Sequence, residues 1–182
     1  LPAYAQTWQP TQPLTSNSGH SVEASVAASD SNVYVAWRDN TFGNSEIFFK
    51  RSTDNGVSWQ PTQRLTNNAG TSWYPSVAVS GGNVYVAWQD YTFDANYEIF
   101  SKRSTDYGVT WEATQRLTYN AGMSRFPSVA VSGSNVTVAW HDNTFDSNQE
   151  IFFKRSLDNG ATWQATQRLT ANTMDSRYAS VA

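Results

Sequence analysis

The sequence repeats itself with a period of 52 residues. The segment Ser-x-Asp-x-Gly-x-(Ser/Thr)-Trp begins at Ser52, Ser104 and Ser156. Its surroundings repeat too, with Glu-Ile-Phe before each copy and Thr-Gln-Arg-Leu-Thr after it. A fixed period of this length indicates one supersecondary unit used several times, and the first copy is one residue shorter than the others.

Each copy holds four short runs of strand-forming residues separated by turn residues, and no helical pattern. In the second copy the runs are residues 76–79, 84–88, 99–103 and 115–118, with Gly81-Gly82-Asn83 as the first turn. The run 84–88 (Val-Tyr-Val-Ala-Trp) is apolar at every position, which predicts a strand buried on both faces. A four-stranded unit of about 50 residues that is covered on both faces is typical of a β-propeller blade.

Composition excludes several kinds of function. The formal net charge is -3, so no surplus of Lys and Arg is present to bind nucleic acid. The chain has no Cys and two His, which rules out disulfides and thiolate metal sites and leaves little scope for a histidine-based metal centre. No apolar run approaches the ~18 residues of a transmembrane segment.

The repeated segment resembles the Asp box, or bacterial neuraminidase repeat, of sialidase-like β-propellers. The positions that carry the resemblance are Ser52, Asp54, Gly56, Trp59, Ser104, Asp106, Gly108, Trp111, Ser156, Asp158, Gly160 and Trp163. The Asp can accept hydrogen bonds from turn amides, the Gly can supply a positive φ, and the Trp can anchor the hairpin to its sheet. In the family this box lies away from the active site, so the resemblance implies structural roles and no catalytic residue.

The blade template divides residues 6–182 into repeats. It predicts one outer strand at 9–15, complete blades at about 20–66, 72–118 and 124–170, and one inner strand at 176–182. The two end strands belong to incomplete blades, and exposed blade faces rich in Phe, Val and Trp need a cover. The sequence therefore predicts a partial propeller that belongs to a longer parent chain or is completed by association with copies of itself.

The first residues have the form of a processing site. Residues 3–5 read Ala-Tyr-Ala, the small-x-small pattern that precedes signal-peptide cleavage, so residues 1–5 are interpreted as a signal-peptide remnant. A chance Ala-x-Ala is the alternative. The first interpretation, with the absence of Cys, predicts a secreted or cell-surface protein.

Non-repeated positions indicate a ligand site. If the family orientation holds, the loops between second and third strands and the connections between blades share one face. The variable positions there are Arg38, Trp73, Tyr74, Arg125, Phe126, His141, Arg177 and Tyr178. Aromatic rings beside Arg suit sugars, which offer C–H faces and hydroxyls, although the same rings could simply fill the central channel.

Two hypotheses of function follow. Near-identical repeats favour a non-catalytic propeller used for glycan binding or for structural assembly on the cell surface. The alternative is a sialidase-type exo-glycosidase, or a fragment of one, in which Arg38, Arg125 and Arg177 would clamp the substrate carboxylate. Against it, the Phe-Arg-Ile-Pro motif of that family is absent and no unrepeated Tyr and Glu pair stands out.

A calcium site is a further hypothesis. The loops after the second strands place oxygen side chains at every second residue, which could supply several calcium ligands. The candidate ligands are Asp90, Asp94, Glu98, Asp142, Asp146 and Glu150. The same residue types are ordinary turn formers, so turn capping explains the pattern equally. No other cofactor is indicated.

Overall fold

The computed structural model describes residues 10–91, 96–145 and 147–182, and within these ranges the chain is all β, without a helix. Three four-stranded antiparallel sheets follow one another along the chain. The first contains β1 (Ser21–Ser29), β2 (Asn32–Asp39), β3 (Glu46–Ser52) and β4 (Gln63–Arg64). The second contains β5 (Ser72–Ser80), β6 (Asn83–Asp90), β7 (Glu98–Ser104) and β8 (Gln115–Arg116). The third contains β9 (Arg125–Ser132), β10 (Asn135–Asp142), β11 (Glu150–Ser156) and β12 (Gln167–Arg168). These sheets confirm the predicted propeller blades.

The strand bounds differ from the sequence expectation in two ways. The first strand of the second blade runs over Ser72–Ser80 instead of 76–79, whereas its fourth strand is only Gln115–Arg116. Segments 10–15 and 176–182, predicted as end strands, form no strand. A strand is defined by a ladder of main-chain hydrogen bonds to a neighbouring strand, and neither segment forms such a ladder with the described residues. Residue 9 and the proposed signal remnant at 1–5 lie outside the described residues.

Both end segments nevertheless contact the blades as the missing strands would. Lys50 Nζ donates to the Leu14 carbonyl at 2.9 Å, as Lys102 Nζ donates to the Leu65 carbonyl at 3.0 Å one blade later. The residues before β1 thus take the place of a preceding outer strand. At the other end, Val181 N donates to Ser128 Oγ at 3.2 Å, the contact that joins each first strand to the next.

The core lies between blades. One cluster joins Ile47 and Phe49 of the first blade to Val86, Trp88 and Phe100 of the second, and an equivalent cluster joins the second blade to the third. Every residue of β6 after Asn83 is buried, which confirms the prediction that this strand is covered on both faces. Apolar contact between sheets is therefore what holds the blades together.

The face of the third blade that points away from the second blade is more exposed to solvent than the equivalent faces of the first two blades. Leu169 is 57% exposed, while its repeats Leu65 and Leu117 are 4% and 1% exposed. In the described part of the chain, no helix is long and apolar enough to cross a membrane.

Candidate ligand-binding site at the inner edge

The strand register brings the two predicted loop sets to one end of the sheets. The first residue of β1, Ser21, pairs with Asp39 at the end of β2, and Arg125 pairs with His141 in the same way. The connections between blades and the loops after the second strands therefore lie side by side. The first strands β1, β5 and β9 are also neighbours, so they form the inner edge of the assembly.

Each inner strand carries a bulge near its start. The register shifts between Val22 and Ser25 in β1 and at the equivalent places in β5 and β9. The bulged residues have left-handed backbone conformations, with φ of 58° at Glu23, 53° at Tyr74 and 54° at Phe126, and Tyr178 at the equivalent repeat position has φ of 58°. Side chains other than Gly seldom adopt positive φ, and bulges redirect side chains at functional edges. The strained conformation therefore recurs where the candidate ligand residues lie.

Three of these residues form a row of rings, the inner aromatic row of Tyr74, Phe126 and Tyr178. The ring centroids of Tyr74 and Phe126 are 4.2 Å apart, and those of Phe126 and Tyr178 are 4.9 Å apart. An open cleft of about 370 Å³ runs along the row and Glu23. Tyr178 is 65% exposed. The row therefore presents aromatic surface to solvent.

Cross-blade hydrogen bonds hold the bulges in place. The main-chain N–H of Phe126 donates to Gln89 Oε1 at 2.9 Å, and that of Tyr178 donates to His141 Nδ1 at 3.3 Å. Arg38, which stands at the same repeat position, cannot accept a hydrogen bond. There the bulged Glu23 accepts from Tyr74 N at 3.0 Å and forms an ion pair with Arg38 at 3.2 Å.

The sequence indicated no unrepeated Tyr and Glu pair, and the contact of Glu23 with Tyr74 uses the main-chain N–H of the tyrosine instead of its hydroxyl. Glu23 lies in the repeat alignment opposite Tyr74, Phe126 and Tyr178, yet it was not nominated. The sequence did carry a signal for Glu23, because two aligned positions change together. Where the later blades have Gln89 or His141, the first blade has Arg38, and its bulged residue is Glu23.

The three arginines each have a separate partner. Arg38 also lies 5.2 Å from the Trp73 ring centroid, and Arg125 lies 4.6 Å from that of Tyr97. Arg177 donates to Asp175 at 2.7 Å. The structure thus brings the nominated residues to one edge, but as three local groups instead of a single clamp.

His141 is buried in this edge, at 3% exposed. Its burial, reinforced by the positive charges of Arg177 and Arg125, lowers the pKa of the imidazole to about 4. A neutral imidazole can accept the hydrogen bond from Tyr178 N through Nδ1, whereas an imidazolium cannot.

We expect this histidine to make stability depend on pH. Its pKa is lower in the folded state than the ordinary value of 6.5, so the unfolded state binds more protons as the pH falls. The free energy of unfolding should therefore decrease between pH 6.5 and 4, by up to about 3 kcal/mol. Urea titrations at a series of pH values measure this loss. His141→Gln, which copies Gln89, keeps an acceptor and should remove that part of the dependence; equal slopes in both proteins would contradict the assignment.

The candidate calcium ligands within the described residues already accept hydrogen bonds. Asp142 accepts from Thr144 N at 2.7 Å and from Asn120 Nδ2 at 2.8 Å. Glu98 accepts from Arg116 at 3.1 Å. Asp90 accepts from Asn68 Nδ2 at 2.9 Å and Glu150 from the Asn172 main-chain N–H at 2.9 Å, while Asp94 and Asp146 lie outside the described residues. No group of three or more metal-binding side chains occurs in the part of the chain that is described, so calcium stays a prediction.

The repeated Asp segments lie at the opposite end of the sheets. Ser58 donates its hydroxyl and main-chain N–H to Asp54, and these bonds, with one from Ser52, lower the pKa of Asp54 to about 2. Gly56 has φ of 85° and donates to Ser52 Oγ at 2.9 Å. Each carboxylate is therefore engaged within its own turn.

The Trp of this segment makes contacts with the preceding blade. Trp111 packs edge-on against Phe49 at 4.9 Å, and its Nε1 donates to Gln63 at 2.7 Å. Trp163 Nε1 makes the same bond to Gln115. The ring of Trp111 thus also joins its hairpin to the preceding blade, while Trp59 packs against Val35, Trp37 and Phe48 of its own sheet.

Comparison with known proteins places this fold. No protein-family model matches the sequence, and no curated protein matches it significantly. A Hadza microbial sialidase superposes with a TM-score of 0.69 at 16% identity, covering 85% of this chain and 39% of its own. A Trypanosoma rangeli sialidase in complex with sialic acid gives 0.60 at 14% identity, covering 79% and 30%.

Another similar structure is a family 93 α-L-arabinofuranosidase of Fusarium graminearum in complex with arabinobiose. Its TM-score is 0.57 at 14% identity, and the match covers 78% of this chain and 46% of that enzyme. The chain thus spans less than half the length of each of these three proteins. The three blades of this chain have the sialidase-like β-propeller fold.

Proposed function

We propose that this chain is a non-catalytic extracellular module that binds glycans at its inner edge. The observation that supports it most is the inner aromatic row, Tyr74, Phe126 and Tyr178, along an open cleft. Flat rings stack on the C–H faces of sugars, and polar groups beside them orient the hydroxyls. The sialidases and the arabinofuranosidase with this fold act on sugars, which supports a glycan ligand here.

Two of the three arginines at this edge have a carboxylate partner, and the third, Arg125, lies over the Tyr97 ring. Glu23 neutralises Arg38, and Asp175 neutralises Arg177. Paired charges of this kind orient hydrogen bonds without demanding an anionic ligand. The edge is therefore suited to recognition of hydroxyl-rich surfaces in general.

The sialidase alternative has one feature in its favour and two against it. Glu23 and Tyr74 are in contact, as a Tyr nucleophile with a carboxylate partner would be. However, Glu23 accepts from the Tyr74 main-chain N–H and forms an ion pair with Arg38. Burial, and then the charge of Glu23, raise the pKa of Tyr74, whereas an activated nucleophile needs a lowered pKa or an engaged base.

A binding and turnover experiment tests the proposal. The intact chain is applied to a glycan array and, in parallel, to a fluorogenic sialoside. We expect binding without turnover. Tyr178→Ala removes an exposed ring of the row and should weaken binding about tenfold, the value of one stacking contact.

Tyr107→Asn is the matched control, since Tyr107 is a 49% exposed ring at the opposite end and the other two repeats carry Asn there. Its binding should equal that of the parent chain. Turnover that disappears in Tyr74→Phe would establish the enzyme instead, and the absence of any glycan bound would refute the proposal.

The proposal also includes assembly through the open face of the third blade. Leu169 and its surroundings are exposed where the same residues of earlier blades are covered by the next sheet. Contact with a further blade, from the same protein or from another copy, would bury this surface.

A further inference from the structure

A second kind of aromatic surface recurs away from the inner edge, in the clefts on the face that each blade turns to its preceding neighbour. In the first blade Trp37 stacks on Phe48 at 6.2 Å, and Phe48 stacks on Phe42 at 6.1 Å. The third blade repeats the arrangement with Trp140, Phe152 and Phe145, at 6.3 and 5.9 Å. The second blade has Trp88 on Phe100 at 6.3 Å, while Phe93 lies outside the described residues.

In the first and third blades the last ring of the stack faces solvent. Phe42 and Phe145 are both 67% exposed, although burial of either would stabilise the fold by ~2 kcal/mol. Arginines of the fourth strands hold them in place, with Arg64 at 5.4 Å from the Phe42 ring and Arg168 at 5.8 Å from the Phe145 ring. Two copies thus present a fixed, flat apolar surface in the same position.

Each ring stands beside a cleft with polar groups. The clefts of the first, second and third blades have volumes of about 350, 460 and 270 Å³. The first is lined by Trp37, Asp39, Phe42, Phe48, Lys50 and Thr62. The cleft volumes suit a single sugar ring more than an oligosaccharide.

The lysine of each cleft offers donors to a ligand. Within the described residues Lys50 Nζ donates one hydrogen bond, to the Leu14 carbonyl, and an ammonium carries three N–H groups. Lys102 and Lys154 are held alike, and burial lowers the pKa of both. A partly desolvated ammonium gains from an oxygen acceptor that enters the cleft.

The charges in the cleft favour a neutral ligand. The positive charge of Lys50 is balanced by the negative charge of Asp39, which lines the same cleft. Arg64 at the rim forms an ion pair with Glu46 at 3.1 Å. A flat apolar ring, an ammonium donor, a threonine hydroxyl and near-zero net charge together match a pyranose, with one C–H face and several hydroxyls.

We propose that the first and third clefts are each a binding site for one neutral pyranose, which stacks on Phe42 or Phe145 and bonds through its hydroxyls to the lysine and threonine. This inference extends the proposed glycan binding to a separate, repeated site. Equal sites at the blade period would let one chain engage several sugars of a glycan, and avidity would offset weak single contacts.

The test uses the indole N–H signals of the ¹⁵N-labelled chain in a nuclear magnetic resonance titration. The probes are the methyl β-pyranosides of glucose, galactose and mannose. Trp37 and Trp140 report on the first and third clefts, and Trp73 reports on the inner edge. We expect at least one glycoside to shift the Trp37 and Trp140 signals together.

Phe42→Ala should abolish the Trp37 shift and leave the Trp140 shift unchanged, so the third cleft is an internal control for folding. Phe145→Ala should give the reverse. A Trp37 shift that survives Phe42→Ala overturns the cleft site. Shifts confined to Trp73 also overturn it while leaving the proposed inner-edge binding intact. No shift with any glycoside, together with no binding on the array, overturns both.

Discussion

Replacing Trp88 with alanine is expected to lower the free energy of unfolding by about 4 kcal/mol. Trp88 is 1% exposed and lies in the cluster that joins the first blade to the second. Its ring stacks on Phe100, and its Nε1 donates to Asp90 at 3.2 Å. Truncation therefore removes apolar contact with two sheets, opens a cavity between them and removes one donor from a buried carboxylate.

Urea unfolding followed by tryptophan fluorescence and by circular dichroism measures the loss. Tyr107→Asn is the control, because it removes an exposed ring and restores the residue of the other repeats. Its effect should stay within about 0.5 kcal/mol. A Trp88→Ala protein that loses less than about 1 kcal/mol would show that the blades are not held together by this cluster.

Replacing Glu98 with alanine is expected to lower the free energy of unfolding by about 3 kcal/mol. Glu98 is fully buried and accepts hydrogen bonds from Arg116 at 3.1 Å and from the main-chain N–H of Asn120 at 3.1 Å. The substitution leaves the Arg116 guanidinium and the Asn120 main-chain N–H without their acceptor. Asn120 lies in the segment that connects the second blade to the third. Removing one partner of a buried pair is far more damaging than removing an exposed one.

Glu112→Ala is the matched control. Glu112 belongs to the same repeat and also pairs with an arginine, Arg103, at 2.6 Å, but 41% of its side chain is exposed. Its loss should cost less than about 1 kcal/mol. Equal destabilisation in the two variants would refute a buried anchoring role for Glu98.

Most of the fold could be predicted from the sequence because a repeat supplies the same information three times. The 52-residue period and the wholly apolar run at 84–88 together predict a blade covered on both faces, and residues 84–90 are buried accordingly. Whether the end segments at 10–15 and 176–182 form strands could not be predicted from the repeat. Their residues match a strand pattern, but a strand also needs a partner, and a pattern along one chain does not show which partner is present.

The candidate site, too, could be predicted from the sequence only in part. Its members could be nominated from the sequence as the variable positions of a repeated loop. Their partners could not, since Glu23 contacts Arg38 and Tyr74 across different strands and blades. The expectation that Arg38, Arg125 and Arg177 could share one anion overlooked these local partners.

The sequence by itself determined the repeat, the all-β class and the turns, since these depend on spacing and on local conformational preference. Only the tertiary structure decided which rings are buried and which face solvent. Phe48 and Phe42 are both apolar residues of one repeat, yet one is 7% and the other 67% exposed. That difference depends on which residues cover each ring, since Phe48 packs with Val35, Trp37 and Leu14, and these contacts form only in the assembled structure.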